Sequence, residues 1–168
     1  FELGAKFTLL DNQLTLNTAI YRIDWESLPV QVKGGTPTCS SVQKVNVGAA
    51  QSEGVEIEAV YAVTPDLQVN LSASYIDANV TEDQVVENIG NELAFANNNA
   101  SLGMQYGFDL ASYPAFIRSD ISYVGRYETW MNKRRPSAGD YTKVDLRAGV
   151  DINQLSLALY ISNLTNED

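Results

Sequence analysis

Along residues 1–9, Leu3, Ala5, Phe7 and Leu9 alternate with Glu2, Gly4, Lys6 and Thr8. A period of two places the apolar side chains on one face of a pleated strand. Asp11-Asn12-Gln13 predicts a short turn, and Leu14 to Trp25 a second strand. There the phase slips, because Ile20 and the set Tyr21, Ile23 and Trp25 fall on opposite faces; a bulge, or an exit from an apolar zone, accounts for it. The longest alternation begins near Val45. Val45, Val47, Ala49, Val55, Ile57, Ala59, Tyr61 and Val63 share one parity against Asn46, Gly48, Ala50, Ser52, Gly54, Glu56 and Glu58. This predicts one strand about 60 Å long at about 3.3 Å per residue. Further alternations predict strands over 67–75, 100–108, 115–125, 142–150 and 155–161.

The connections sort by length: short at 10–13, 64–66, 109–114 and 151–154, long at roughly 26–44, 78–98 and 126–141. Short turns at one end and long loops at the other predict an all-β fold, an antiparallel meander of about eight long strands in a transmembrane β-barrel. In such a wall the apolar face meets lipid, and the opposite face lines a lumen that tolerates charge. Parity assigns Glu56, Glu58, Arg118, Asp120, Lys143, Asp145 and Arg147 to that lumen. Gly48, Ala50, Ser52, Gly54, Gly103 and Gly149 on the same face leave room for something inside. Tyr75, Tyr106, Phe108, Tyr123 and Trp25, near strand ends, fit interfacial aromatic belts.

Composition narrows the chemistry. The chain has 168 residues, with 11 Lys and Arg against 21 Asp and Glu, a net charge of -10. That balance argues against binding nucleic-acid phosphates. No histidine is present, so neither a His-based triad nor a His-ligated metal site can be built. The single Cys39 allows no disulfide within this segment, and on an oxidising cell surface it either pairs with a cysteine elsewhere or stays a free thiol. No run approaches the ~20 apolar residues of a membrane helix. The opening Phe1-Glu2-Leu3-Gly4 and the closing Asn163 to Asp168 are expected to be interior to a longer chain.

Four stretches, in order, carry a family resemblance: residues 1–25, Asn46 to Ala59, Tyr141 to Val150 and Leu155 to Asp168. The most specific is the run Asn46, Gly48, Ala50, Ser52, Gly54, Glu56. Together they resemble the TonB-dependent receptors, active-transport barrels of the Gram-negative outer membrane. Where relatives often have proline before the fifth strand, this chain has Ala94, a departure confined to a loop. The resemblance implies that residues 1–168 are a C-terminal portion of a barrel of ~22 strands, with plug, TonB box and last strands outside this chain. It implies uptake of a scarce solute, with a ferric siderophore the expected one, driven by the TonB complex acting on the plug. Outer-membrane lipid, lipopolysaccharide and the small-molecule substrate are the other expected partners. No chemistry on the substrate is implied, so no catalytic residue, cofactor or metal site is expected.

On that reading the long loops supply the ligand candidates Trp25, Phe95, Tyr127, Trp130, Lys133, Arg134 and Arg135. The basic cluster suits an anionic ferric chelate or a lipopolysaccharide phosphate, although a solvated loop charge run explains it as well. Glu56, Glu58, Arg118, Asp120 and Arg147 are candidates for plug contact, with cross-strand ion pairing in the wall as the alternative. Glu82, Asp83, Glu87 and Glu92 match no calcium-loop spacing. Two other architectures stay open: a self-contained eight-stranded outer-membrane barrel with a structural or adhesive role, and a soluble β-sandwich binding module.

Overall fold

A computed structural model describes residues 1–27, 29–36, 39–46, 48–83, 89–128 and 137–167, with backbone alone over 30–36 and 39–46. The strands are β1 (Glu2–Leu9), β2 (Leu14–Glu26), β3 (Pro29–Thr36), β4 (Cys39–Asn46), β5 (Ala49–Ala62) and β6 (Leu67–Glu82). They continue with β7 (Asn98–Leu110), β8 (Tyr113–Val124), β9 (Tyr127–Glu128), β10 (Ser137–Ala138), β11 (Tyr141–Ile152) and β12 (Leu155–Ile161). Eight of them form one antiparallel sheet in the order β1-β2-β5-β6-β7-β8-β11-β12, the expected meander. β3 with β4, and β9 with β10, are separate hairpins within two of the long connections.

Local chemistry makes the turns at the short-loop end. Ala111 (φ 50°) and Ser112 (φ 71°) link β7 to β8 in a two-residue left-handed turn, whose twist matches that of the strands. Between β5 and β6, Thr64 Oγ1 accepts the backbone N–H groups of Asp66 at 3.2 Å and Leu67 at 3.0 Å. These bonds close the turn around Pro65.

The alternation from Val45 to Val63 is two strands rather than one. β4 ends at Asn46 and β5 begins at Ala49, with Gly48 at φ 107° between them. A Cβ on Gly48 would lie 2.3 Å from the Glu82 carbonyl oxygen, so the chain bends closely against the end of β6 where only glycine fits. A register irregularity at Ala49/Ala50 marks the same bend. Parity survives it, which is why the pattern alone reads as continuous.

In β2 no bulge is present: its register with β5 runs unbroken from Leu14↔Tyr61 to Glu26↔Ala49. The slipped phase is an exit from the apolar zone. Up to Ile20 one face carries Leu14, Leu16 and Ile20; beyond it the same face carries Arg22, Asp24 and Glu26. Neighbours change at the same level, Val55 giving way to Glu53 and Tyr75 to Asp77.

Register resolves the two faces into rows. One row across seven strands reads Phe7, Leu16, Ala59, Leu71, Leu102, Ile121, Val144. The adjacent row on the other face reads Lys6, Asn17, Glu58, Ser72, Ser101, Ser122, Lys143. Ser72 and Ser101 hydrogen-bond across the strands at 2.8 Å. Nothing among the described residues packs on the apolar face: Leu71 is 40% exposed and Leu157 50%. The buried cluster is small, Ala50, Ala78, Val80 and Leu93, and belongs to the polar face near the long-loop end. A soluble domain of this size buries its large apolar side chains, so no dry sandwich core is present among the described residues. Among the described residues β1 pairs only with β2 and β12 only with β11, so the eight strands form an open sheet rather than a small closed barrel.

Candidate functional site

Strand β6 outlasts its neighbour. Pairing with β7 stops at Tyr75↔Asn98, and above it β6 is paired with the returning segment 89–97. The bonds are Ile76 N to Asn97 O at 2.8 Å, Leu93 N to Ala78 O at 2.8 Å and Val80 N to Asn91 O at 3.0 Å. This ladder draws Leu93 onto Ala50, Ala78 and Val80, with Ile76 and Phe95 packed alongside. Much of the room expected from small residues is thereby filled from within the chain. The Tyr21 ring lies against Gly54, where a Cβ would stand 2.5 Å from the ring, and the Arg118–Asp120 pair lies over Gly103.

Above the polar rows, an open concavity of about 970 Å³ is bordered by Tyr21, Ile23, Trp25, Ile76, Phe95 and Tyr127, with Glu2, Ser52 and Glu56. Three predicted ligand residues, Trp25, Phe95 and Tyr127, therefore meet in one place. Trp25 sits at the upper end of β2 rather than in a loop, opposite Ala50 on the polar face, so it is not part of an aromatic belt. Tyr75, Tyr106, Phe108 and Tyr123 do lie on the apolar face, with Tyr106 and Phe108 stacked at 6.0 Å. Trp130, Lys133, Arg134 and Arg135 lie outside the described residues, as does Glu87, and the side chain of Cys39 is not described. Tyr21, Ile23 and Ile76 were missing from the predicted set; the slipped phase of β2 was the signal for the first two.

The seven charged residues assigned to one face by parity do share it. Arg118 pairs within its own strand, Nε to Asp120 Oδ2 at 2.8 Å. Lys143 Nζ stands 3.9 Å from Asp145, which also accepts the Asn163 backbone N–H at 2.7 Å. The Arg147 guanidinium lies over the Phe116 ring, 5.7 Å from its centre. Glu56 and Glu58 are exposed and enter no ion pair among the described residues. Cross-strand pairing occurs on the opposite face, where Arg22 meets Glu53 of β5 at 3.2 Å, while also meeting Asp24 of its own strand at 3.2 Å. Among the described residues, no group of three or more acidic or cysteine side chains is placed to hold a metal ion.

Residues 1–164 match the family model described as TonB dependent receptor-like, beta-barrel. The ferrioxamine B receptor of Salmonella typhimurium is 24% identical over 174 aligned residues, covering 99% of this chain and 24% of that protein. A probable TonB-dependent siderophore receptor, PiuA of Acinetobacter baumannii, is 30% identical over 83 residues, covering 49% of this chain and 10% of that protein. Among solved structures, the ferric yersiniabactin uptake receptor FyuA of Yersinia pestis superposes with a TM-score of 0.81 at 19% identity, over 99% of this chain and 24% of that one. The chain thus spans a quarter or less of the length of these relatives. With the family model covering nearly all of it, the chain belongs to the TonB-dependent receptor-like β-barrel family, a family of outer-membrane receptors and not of enzymes.

Proposed function

We propose that this chain is part of the barrel wall of an outer-membrane transporter that takes up a ferric siderophore with work supplied through TonB. The observation that carries the proposal is the pair of adjacent rows, one apolar and uncovered, the other polar, on an open meander. A wall between hydrocarbon and an aqueous interior needs that division, because charge on the lipid side is costly and charge on the lumen side is not. On this reading residues 1–168 are one segment of the barrel domain, with plug and TonB box elsewhere in the protein.

The wall then has three tasks. Its apolar face meets outer-membrane lipid, with lipopolysaccharide against the polar band of Arg22, Asp24, Glu53 and Asp77 just above. The concavity at the long-loop end receives the ligand, together with the candidates Trp130, Lys133, Arg134 and Arg135. The polar face grips the plug. Glu56 and Glu58, which enter no ion pair among the described residues, have most to offer it; Arg118, Asp120, Lys143, Asp145 and Arg147 are already engaged with neighbours and serve as secondary contacts.

The test is uptake. A strain of the source organism deleted for the full-length gene, grown under iron limitation, is supplied with radiolabelled ferrioxamine B and ferric enterobactin. Loss of uptake of at least one of them, restored by the gene but not in a TonB-deficient background, is expected. Unchanged uptake of both would remove the transport proposal.

A further inference from the structure

We propose that a groove on the apolar face, between Tyr75 of β6 and Tyr123 of β8, holds one acyl chain of lipid A, the lipid anchor of lipopolysaccharide. The inference rests on the reading of that face as lipid contact and goes beyond it to one lipid and one place. The groove has a volume of about 320 Å³. Its floor forms where β6 and β7 put small residues side by side: Ala73 stands opposite Ala100, and Ala100 opposite Tyr123. Ile57, opposite Ala73, and Tyr75 make one wall, and Tyr123 the other. In the next row toward the short turns, Leu71 and Leu102 take the places of the two alanines. One step toward the long loops, Asn98 stands opposite Tyr75, and Gly125, whose N–H bonds the Asn98 carbonyl at 2.7 Å, adds no side chain beside it. The Tyr123 hydroxyl lies 3.4 Å from Asp140 Oδ1, which turns that ring toward the long-loop end.

Tyr75 and Tyr123 belong to the strands on either side of β7, about 10 Å apart at about 4.8 Å per strand. Methylene groups pack at about 4 Å, so a single hydrocarbon chain fits between the rings over Ala100 and two do not. Nothing among the described residues covers the place: Tyr75 is 48% exposed and Tyr123 36%. On this face of β6, Tyr75 is the last apolar residue before Asp77. The groove therefore lies at the long-loop limit of the apolar zone, in the outer leaflet of a barrel whose long loops are extracellular. Lipid A differs from a phospholipid at this depth. Its chains are joined through amides as well as esters and carry hydroxyl groups near the join, giving hydrogen-bond donors and acceptors, where a phospholipid ester gives acceptors alone. The side-chain amide of Asn98 offers both kinds of partner, as does the Tyr75 hydroxyl.

The test is native mass spectrometry of the full-length receptor in detergent, delipidated and then titrated with hexa-acylated lipid A or with phosphatidylethanolamine. A one-to-one complex with lipid A is expected to saturate before a second lipid adds, with phosphatidylethanolamine binding more weakly. Ala100→Phe fills the floor with a ring and forfeits the contacts of several methylene groups, together worth about tenfold in affinity. Ala148→Phe, the same change on the same face of β11, should leave binding unchanged, and Asn98→Ala should reduce the preference for lipid A. Should Ala100→Phe not assemble, Ala73→Phe takes its place and the preference of the unaltered receptor still decides. Equal losses in Ala100→Phe and Ala148→Phe, equal binding of the two lipids by the unaltered receptor, or a preference unmoved by Asn98→Ala would overturn the inference. If no lipid is held although spin labels on residues 67–75 show odd positions open to oxygen, the inference falls and the lipid-facing wall stands. Odd positions shielded from oxygen would remove both.

Discussion

Replacing Leu71 by arginine places a charge at the centre of the apolar row that runs from Phe7 to Val144. Along β6 the apolar face carries Leu67, Val69, Leu71, Ala73 and Tyr75 before turning to Asp77 and Asn79. Leu71 is therefore four residues from either limit of the apolar stretch. At about 3.3 Å per residue, Tyr75 lies about 13 Å further along the strand, near half the ~25 Å height of a barrel's apolar band. An arginine at the midplane is expected to cost about 2–4 kcal/mol, and one at the interface about 0–1. Leu71→Arg should thus destabilise the full-length barrel by about 2–4 kcal/mol and Tyr75→Arg by no more than about 1 kcal/mol. Ser74→Arg, on the polar face beside Glu56, should cost little. The assay is reversible urea unfolding in phospholipid vesicles, followed by tryptophan fluorescence. A buried protein core would also reject Leu71→Arg, but it would show no gradient with depth. Equal costs at positions 71 and 75, or none at 71, would refute a hydrocarbon contact.

Three smaller tests follow from local geometry. Gly54→Ala should destabilise by about 1–3 kcal/mol through overpacking against Tyr21, and most of that cost should vanish in a Tyr21→Ala background; an additive double-mutant cycle would contradict the contact. Gly48→Ala combines a left-handed φ of 107° with a Cβ 2.3 Å from the Glu82 carbonyl oxygen. It should raise proteolytic cleavage between β4 and β6 while leaving the β7–β8 region unaffected. Asp145→Ala removes the acceptor of the Asn163 N–H and should cost about 1 kcal/mol, read as faster amide exchange at Asn163 and Leu164 than at Leu157.

The sheet was legible because period-two patterning is a direct imprint of two unlike surroundings, and each of the eight long strands carries it. What escaped were features that leave parity intact or lie outside it. The bend at Gly48 preserves the alternation and so hides the division between β4 and β5. The pairing of segment 89–97 with the top of β6 depends on how far β6 outruns β7, which no local pattern records. The slip at Ile20 was visible, and the unbroken β2–β5 register identifies it as a change of environment rather than a bulge. That change also moves Trp25 from an expected belt to the concavity. Parity shows which charges share a face but not how closely they engage: Arg118 and Asp120 bond at 2.8 Å, whereas Lys143 and Asp145, also two apart and of opposite charge, stand 3.9 Å apart.

The claim beneath all of this is that one face of the sheet touches hydrocarbon and the other an aqueous interior. Spin labels placed singly at positions 67 to 82 of the full-length protein, in a Cys39→Ser background and reconstituted in bilayers, test it by accessibility to oxygen and to a water-soluble nickel chelate. Odd positions through 75 should favour oxygen and even positions through 74 the nickel chelate, with the odd series crossing to nickel at 77 and 79 and the buried positions 78 and 80 shielded from both. A series without alternation, or one in which odd positions are shielded from both reagents, would contradict it.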